Sequence, residues 1–375
     1  MAVDETEEKL IRALQKRHDP EAERLKRFLA MPDLTRTPDS PLADLTKRIV
    51  GLPRFAEFKN LDVPEIVGYD ISFDLFNFPA EHPARNPSDT YFIDKDHILR
   101  PHTTVMWYYH LNLDDVNSSI KKGESVGALS YGKVYRKDEI DRQHMNVFHQ
   151  MDGWYLCRRE EHIITIDDLQ NVLVEIARAI FGQDIKYRFN IDNFPYTDPS
   201  IEMEVQISQR WIEVLGAGVV RGSVLKNLGV NQEEYNGWAF GFGLERLAIT
   251  SMDLPDIRLL WSQDERVKKQ LKLGNKYREV SKFPPIIRDI SFIVDKDFVP
   301  NNYFDLIRDL GGDLVEEVQL LDKYSNPEKF GHDKLSYTYR IIYRSNDRTL
   351  LSGEVDEIQK KIYDETAKQF NAELR

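Results

Sequence analysis

The chain has 375 residues, 41% of them hydrophobic, and a formal net charge of −12. That length accommodates two domains with a substantial core, and the acidic balance excludes a polyanion binder held by bulk charge while allowing a local grip on nucleic acid. One cysteine, Cys157, excludes a disulfide framework or a Cys-rich zinc site and fits a reducing compartment.

The N-terminus, MAVDETEEKL, is acidic, without the apolar core of a signal peptide or the Arg/Ser bias of a transit peptide. A cytoplasmic protein is expected, with the mitochondrial matrix as the alternative if a presequence has been removed. No apolar run approaches the length of a membrane span, so no membrane partner is expected. In residues 1–50, Leu10, Ile11 and Leu14, then Leu25, Phe28 and Leu29, recur at helical steps and predict a helical extension. DLTRTPDSPLADL (33–45) reads as a loop.

Between about 91 and 250 strand-like runs dominate: HILRPHTT, GKVYRKD, GWYLCRR, IEMEVQI, RWIEVLGAGVV and WAFGFG. In IEMEVQI, Ile201, Met203, Val205 and Ile207 alternate with polar residues, which predicts one buried face. One clear helix, 166–182, interrupts them, with an Asp cap and a terminal glycine. Strands with one long helix predict an antiparallel sheet in an α+β domain. A polar stretch closed by Pro284-Pro285 marks a boundary, after which the order strand, helix, strand, strand, helix predicts a small ferredoxin-like fold.

GKVYRKDEIDRQHMNVFHQMDG (132–153) packs Arg136, Asp138, Glu139, Arg142, His144, His149 and Gln150 around apolar residues that include Phe148. An arginine on a strand forks onto a phosphate, and a phenylalanine stacks on a base. Alone, the segment reads equally as a solvated charged hairpin. FGFGLERLAI (240–249) puts Arg246 at a strand-to-helix junction, where a helix N-terminus favours anions. Alone, it reads as a glycine-bearing turn with a surface ion pair. HTTVMWYY (102–109) and NFPYTDPS (193–200) read alone as core packing plus a proline turn.

The order of these segments resembles class II aminoacyl-tRNA synthetases, and specifically the phenylalanyl-tRNA synthetase family in its single-chain, mitochondrial-type form. ILRPHTT, VYRKDEIDRQH, VFHQMDG, NFPYTDPS, WIEVLGAG, YNGWAFGFGLERLA and DIRLLWSQDER carry the resemblance, and FPPIIRDISF, GGDLVEEVQLLDKY and YRIIYRSNDRTLLSGEV extend it to the C-terminus. It implies an N-terminal extension at 1–50, a catalytic domain at 51–275 with an antiparallel sheet flanked by helices, and a ferredoxin-like anticodon-binding domain at 282–375. It also implies ATP-dependent activation of phenylalanine and transfer to tRNA(Phe), by a monomer, with a dimer as the alternative. Arg136 would hold the α-phosphate, Arg246 the γ-phosphate and His144 the outer phosphates, with Glu139 beside the nucleotide and Phe148 on the adenine. His102, Thr104, Gln150 and Asp152 would clamp the amino acid, and Phe194, Tyr196 and Ala239 would line its side-chain pocket. Mg2+ would accompany ATP through Glu202 or Glu213.

Three positions depart from the family pattern. Trp107 stands where a polar glutamine is usual, Asp152 where glutamate is, and Tyr196 where the second pocket phenylalanine is. They keep open a paralogue that activates another aromatic amino acid. A non-catalytic RNA-binding protein is the third reading, and intact Arg136 and Arg246 speak against it. In the C-terminal strand LSYTYRIIYR, alternation places Leu335, Tyr337, Tyr339, Ile341 and Tyr343 towards the helices and exposes Arg340 and Arg344 for RNA phosphates. Deleting 282–375 would on this reading spare amino-acid activation.

Overall fold

A computed structural model describes residues 5–207, 209–280 and 283–375. Its contacts divide the chain into two units: 1–136, 147–254 and 271–276 in the first, and 137–146, 255–270 and 277–375 in the second.

The first unit begins with α1 (Glu5–Gln15), α2 (Pro20–Ala30) and α3 (Pro41–Val50). Leu14, Leu25 and Phe28 are buried as their spacing predicts. The loop reading of 33–45 runs too far: Ser40 caps α3 by accepting the Leu42 N–H, and Pro41 is its first residue. Serine before proline is here a helix start, because proline costs no hydrogen bond in the first turn. Next come β1 (Lys59–Leu61), β2 (Ile66–Gly68), α4 (Tyr69–Phe73), β3 (His97–Leu99), α5 (Met106–Leu111) and α6 (Asp114–Lys122). HILRPHTT is thus a strand only over its first residues; Thr103–Val105 form a helical turn leading into α5. β4 (Val126–Tyr135) ends one residue before Arg136, which follows the strand instead of lying on it. β5 (Val147–Arg158) and α7 (Ile166–Phe181) follow. α7 is capped by Thr165, not by an aspartate; Asp168 completes the reciprocal capping box, and Gly182 ends the helix at φ 96°. β6 (Tyr187–Asp192), β7 (Thr197–Ile207), β8 (Arg210–Val220), α8 (Gly222–Asn227), β9 (Tyr235–Gly243) and α9 (Leu244–Met252) complete the unit.

Seven of these nine strands form a sheet in the order β1-β4-β5-β9-β8-β7-β6, and β2 pairs with β3 in a separate two-stranded sheet. The seven-stranded sheet is antiparallel except at the edge, where β1 runs parallel to β4. Ile201, Met203 and Val205 are buried, while Ile207, near the strand end, is only partly so. One face of β5 and β9 carries Trp154, Leu156 and Ala239 into a core with Trp107, Phe76 and Val105. None of the helices among the described residues is long and apolar enough to cross a membrane.

The second unit contains α10 (Glu265–Lys268), β10 (Ile286–Asp295), α11 (Pro300–Gly311), β11 (Val315–Tyr324), α12 (Pro327–Phe330), β12 (Lys334–Tyr343), α13 (Ser352–Phe370) and β13 (Glu373–Leu374). Its antiparallel sheet runs β11-β12-β10-β13, a ferredoxin-like order that a final two-residue strand completes. Tyr337, Tyr339, Ile341 and Tyr343 are buried against α11 and α13, as alternation predicts. The proposed domain start at 282 lies outside the described residues, as does 281.

Residues 137–146 also belong to this unit. Arg308 of α11 donates to the carbonyls of Asp138 and Glu139, Asn146 donates to the buried Asp305 carboxylate at 3.0 Å, and Val318 donates to the Ile140 carbonyl at 3.0 Å. Deleting 282–375 would therefore strip the support from the loop that carries Glu139 and His144, and it is not the clean truncation that the sequence suggests.

Candidate active site

The floor of the site is the middle of the first unit's sheet. Asp152 on β5 pairs with Ser130 of β4 and Gly241 of β9. A Cβ at position 241 would lie 2.9 Å from the Asp152 carboxylate, so only glycine leaves the carboxylate its place. Thr104 donates its hydroxyl to Asp152 at 2.7 Å, and Thr103 donates to the other carboxylate oxygen. Burial pushes the Asp152 carboxyl up to about 6, against the pull of the two threonines and of the Arg136 and Arg100 charges. Thr103 is a site residue that motif reading passed over; its signal was the doubled threonine after His102.

His102 is buried, stacks on Phe78 with ring centroids 5.8 Å apart, and donates Nε2–H to the Ser72 carbonyl at 3.2 Å. Burial first, then the Arg136 charge, lowers its pKa to about 3, so the imidazole is neutral. Its Nδ1 is then a bare acceptor, buried with no partner. Gln150 shares the Asp152 face of β5, and its Oε1 is likewise buried with no partner. Two unsatisfied acceptors beside a buried carboxyl are what an ammonium donor requires, and the cost of leaving them empty points to a ligand that fills them.

Aromatic residues surround these groups. Tyr196 stacks on Phe194 at 5.9 Å and meets Trp107 and Phe76 edge-on at 6.0 and 6.2 Å. Trp107 is 1% exposed and stacks on Trp154 at 4.9 Å. It is a core ring beneath the pocket wall. Ala239 pairs with Trp154 across the strands and lies in the same core. Gly216 on β8 gives Phe194 its room, since a Cβ there would come within 3.0 Å of the ring.

Arg136 follows β4 and donates Nε–H to the Pro101 carbonyl at 2.8 Å; its guanidinium lies 5.2 Å from the centre of the Phe148 ring. Arg246 sits in the first turn of α9, half-exposed and 3.2 Å from Glu213. Glu202 accepts from Asn190 at 3.0 Å. In the β7–β8 register Glu213 faces Glu204, while Glu202 faces Gly216, so the two carboxylates proposed for Mg2+ are not cross-strand partners.

Glu139 and His144 lie in the second unit's loop, where His144 Nδ1 is 2.8 Å from Asp141. Arg340 and Arg344 are on β12 and its end, as expected, but both are already paired. Arg340 forms a fork with Asp289 at 2.8 Å through two nitrogens, and Arg344 bonds the buried Glu316 at 2.8 Å and the Phe283 carbonyl. Sequence reading missed Arg100, which is 2% exposed and pins β4 and the segment before β2 through the carbonyls of Lys133 and Val63.

A family model of the class II tRNA synthetase core domain (F) matches residues 29–271, and one of the ferredoxin-fold anticodon binding domain matches 281–375. The chain belongs to the phenylalanyl branch of the class II aminoacyl-tRNA synthetases. It is 39% identical over 333 residues to the Arabidopsis thaliana chloroplastic/mitochondrial phenylalanine–tRNA ligase, covering 86% of this chain and 73% of that protein. It is 34% identical to a probable mitochondrial phenylalanine–tRNA ligase of Drosophila melanogaster, over 90% of this chain and 85% of the relative. The mitochondrial enzyme of Mus musculus is also 34% identical, over 86% and 76%. In this synthetase family member the core is followed along one chain by the anticodon-binding domain.

Proposed function

We propose that the chain is an ATP-dependent phenylalanine–tRNA ligase acting on tRNA(Phe). The observation that carries this reading is the set of buried acceptors, His102 Nδ1, Gln150 Oε1 and the Asp152 carboxyl, within an aromatic wall of Phe194 and Tyr196. The ammonium of phenylalanine is held by the acceptors and its ring by the wall. A phenylalanine carboxylate oxygen attacks the α-phosphorus of ATP; the new O–P bond gives the adenylate as the bond to pyrophosphate breaks. A ribose hydroxyl at the tRNA 3′ end then attacks the acyl carbon and expels AMP.

This chemistry needs positioning and charge neutralisation more than an acid or base. Arg136 is assigned to the α-phosphate, Phe148 to the adenine and Arg246 to the γ-phosphate; Glu139 and His144 keep nucleotide roles on the strength of their motif. Mg2+ fits as an ion carried by ATP. Among the described residues there is no group of three or more His, Cys, Asp or Glu that could hold a metal, and this ion is commonly bound by phosphates, water and one or two carboxylates. Glu213 and Glu202 would supply those carboxylates, and the ion would neutralise phosphate charge. A monomer is proposed, and the names of the relatives favour an organelle matrix over the cytoplasm.

Tyr196, Asp152 and Trp107, whose buried indole N–H has no partner and whose ring meets Tyr196, support one second reading, a paralogue for another aromatic amino acid. ATP–pyrophosphate exchange with the twenty amino acids separately decides between them. Exchange with phenylalanine is expected, and exchange with none would remove the ligase reading.

A further inference from the structure

His149 is the residue of VFHQMDG to which neither amino acid nor nucleotide gives work. Alternation along β5 turns it to the face opposite Phe148, Gln150 and Asp152, and it is 0% exposed. Its Nδ1 lies 2.6 Å from Oε1 of Glu245, and its backbone N–H donates to the same carboxylate at 2.9 and 3.0 Å. Its Nε2 accepts the Leu34 backbone N–H at 3.0 Å. The Leu34 N–H, an obligate donor, puts the lone pair on Nε2 and the proton on Nδ1, and Asp33 of the same segment stands 3.5 Å from Nε2.

Glu245 is 3% exposed, sits in the first turn of α9 and immediately precedes Arg246. A carboxylate so buried requires donors, and His149 supplies both a side-chain and a main-chain one. Leu34 belongs to a strap, residues 29–36, that is itself tied to β4. The Lys133 ammonium donates to the Leu29 and Met31 carbonyls at 2.8 and 2.9 Å, and Arg36 donates to the Tyr131 carbonyl at 3.2 Å.

We propose that His149 is a positioning residue for ATP: it clamps the first turn of α9 to β5, and so sets Arg246 against the Arg136–Phe148 pair, while the 29–36 strap orients its ring. This rests on the nucleotide role proposed for Arg246. It makes the first residues of the matched synthetase core, 29–36, a working part of the catalytic unit.

The test uses the full chain, its His149→Gln and His149→Asn variants, and ATP–pyrophosphate exchange with phenylalanine. Glutamine places its amide near the Nε2 position, meets Leu34 and withdraws the donor from Glu245. Asparagine places its amide near Nδ1, keeps that donor and abandons Leu34. In the glutamine variant KM for ATP should rise about tenfold, the scale of one hydrogen bond to a charged group, with KM for phenylalanine within about twofold of the parent. Asparagine should bring the ATP KM back to within about threefold, although both variants melt lower. An unchanged ATP KM in the glutamine variant, or equal rises in both that simply follow Tm, would overturn the clamp. A parent with no phenylalanine-dependent exchange would overturn the proposed activity instead. In that case the ATP-induced rise in Tm, compared across the three proteins, still tests the clamp.

Discussion

The amino-acid pocket and the arginine face of β12 treat polar groups in opposite ways. In the pocket, His102 Nδ1 and Gln150 Oε1 are buried and unsatisfied, and Asp152 is held only by two threonine hydroxyls and distant positive charge. On β12, Arg340 and Arg344 reach the surface but have carboxylate partners already. Burial without a partner is costly, so the pocket's acceptors suit a ligand that donates hydrogen bonds. Arg340, paired with an exposed carboxylate, advertises nothing, because a surface ion pair contributes little and is easily exchanged for another, and Arg344 is committed to the buried Glu316. In the pocket, where two orphaned acceptors flank a buried carboxyl, the polar groups carry the stronger functional signal, and charge on the β12 face carries the weaker one.

The sharpest way to break the contrast is at the reacting phosphate. Arg136→Ala should lower adenylate formation by about 10²–10³, the usual cost of removing one preorganised charge at a reacting centre. Exchange at the parental rate would show that the groups around Arg136 are not a nucleotide site.

Next in size is Asp152. Its pKa is raised to about 6 from 3.8, so it is partly protonated near pH 6 and carries its full charge only above that. KM for phenylalanine should rise as pH falls through about 6, and Asp152→Asn should remove that dependence while raising KM about tenfold to a hundredfold at neutral pH. The effect on the empty protein has the opposite sign. A carboxyl that binds its proton more tightly folded than unfolded loses stability as pH rises between 3.8 and about 6. Urea titrations at pH 4 and pH 7 in parent and variant would read that sign directly.

Ala239→Gly should open the pocket by one methyl group next to Trp154. Activation of para-chlorophenylalanine should improve relative to phenylalanine by about tenfold, the scale set by one methylene-sized group in an apolar pocket. An unchanged ratio of kcat/KM values would place Ala239 in the core alone.

The smallest effects separate the two β12 arginines. Arg344→Gln takes a partner from Glu316, which is 3% exposed; Arg142 remains beside it, so the loss of stability should be about 1–2 kcal/mol. Arg340→Gln leaves an exposed Asp289 that water solvates, and Tm should not change. If only Arg340→Gln weakens tRNA charging, the RNA contact on this strand is Arg340 and the role of Arg344 is to hold Glu316. If neither does, β12 offers no phosphate contact.

Much of this protein was legible in its sequence. Period-two alternation placed the buried faces of β7 and β12, and the spacing of apolar residues placed α1, α2 and α7, because local burial patterns depend only on the chain's own period. The motifs put Asp152, Gln150, His102 and Arg136 forward as candidates, since their chemistry is carried by residue type and order. Only the tertiary structure revealed which of those groups lack partners. Arg340 and Arg344 look as available in sequence as Gln150 does, but their carboxylates come from 51 and 28 residues away. The link from Leu34 through His149 to Glu245 spans 115 and then 96 residues. No local pattern encodes such a contact; it exists because the sheet brings three distant segments to one buried point, where a carboxylate must find its donors.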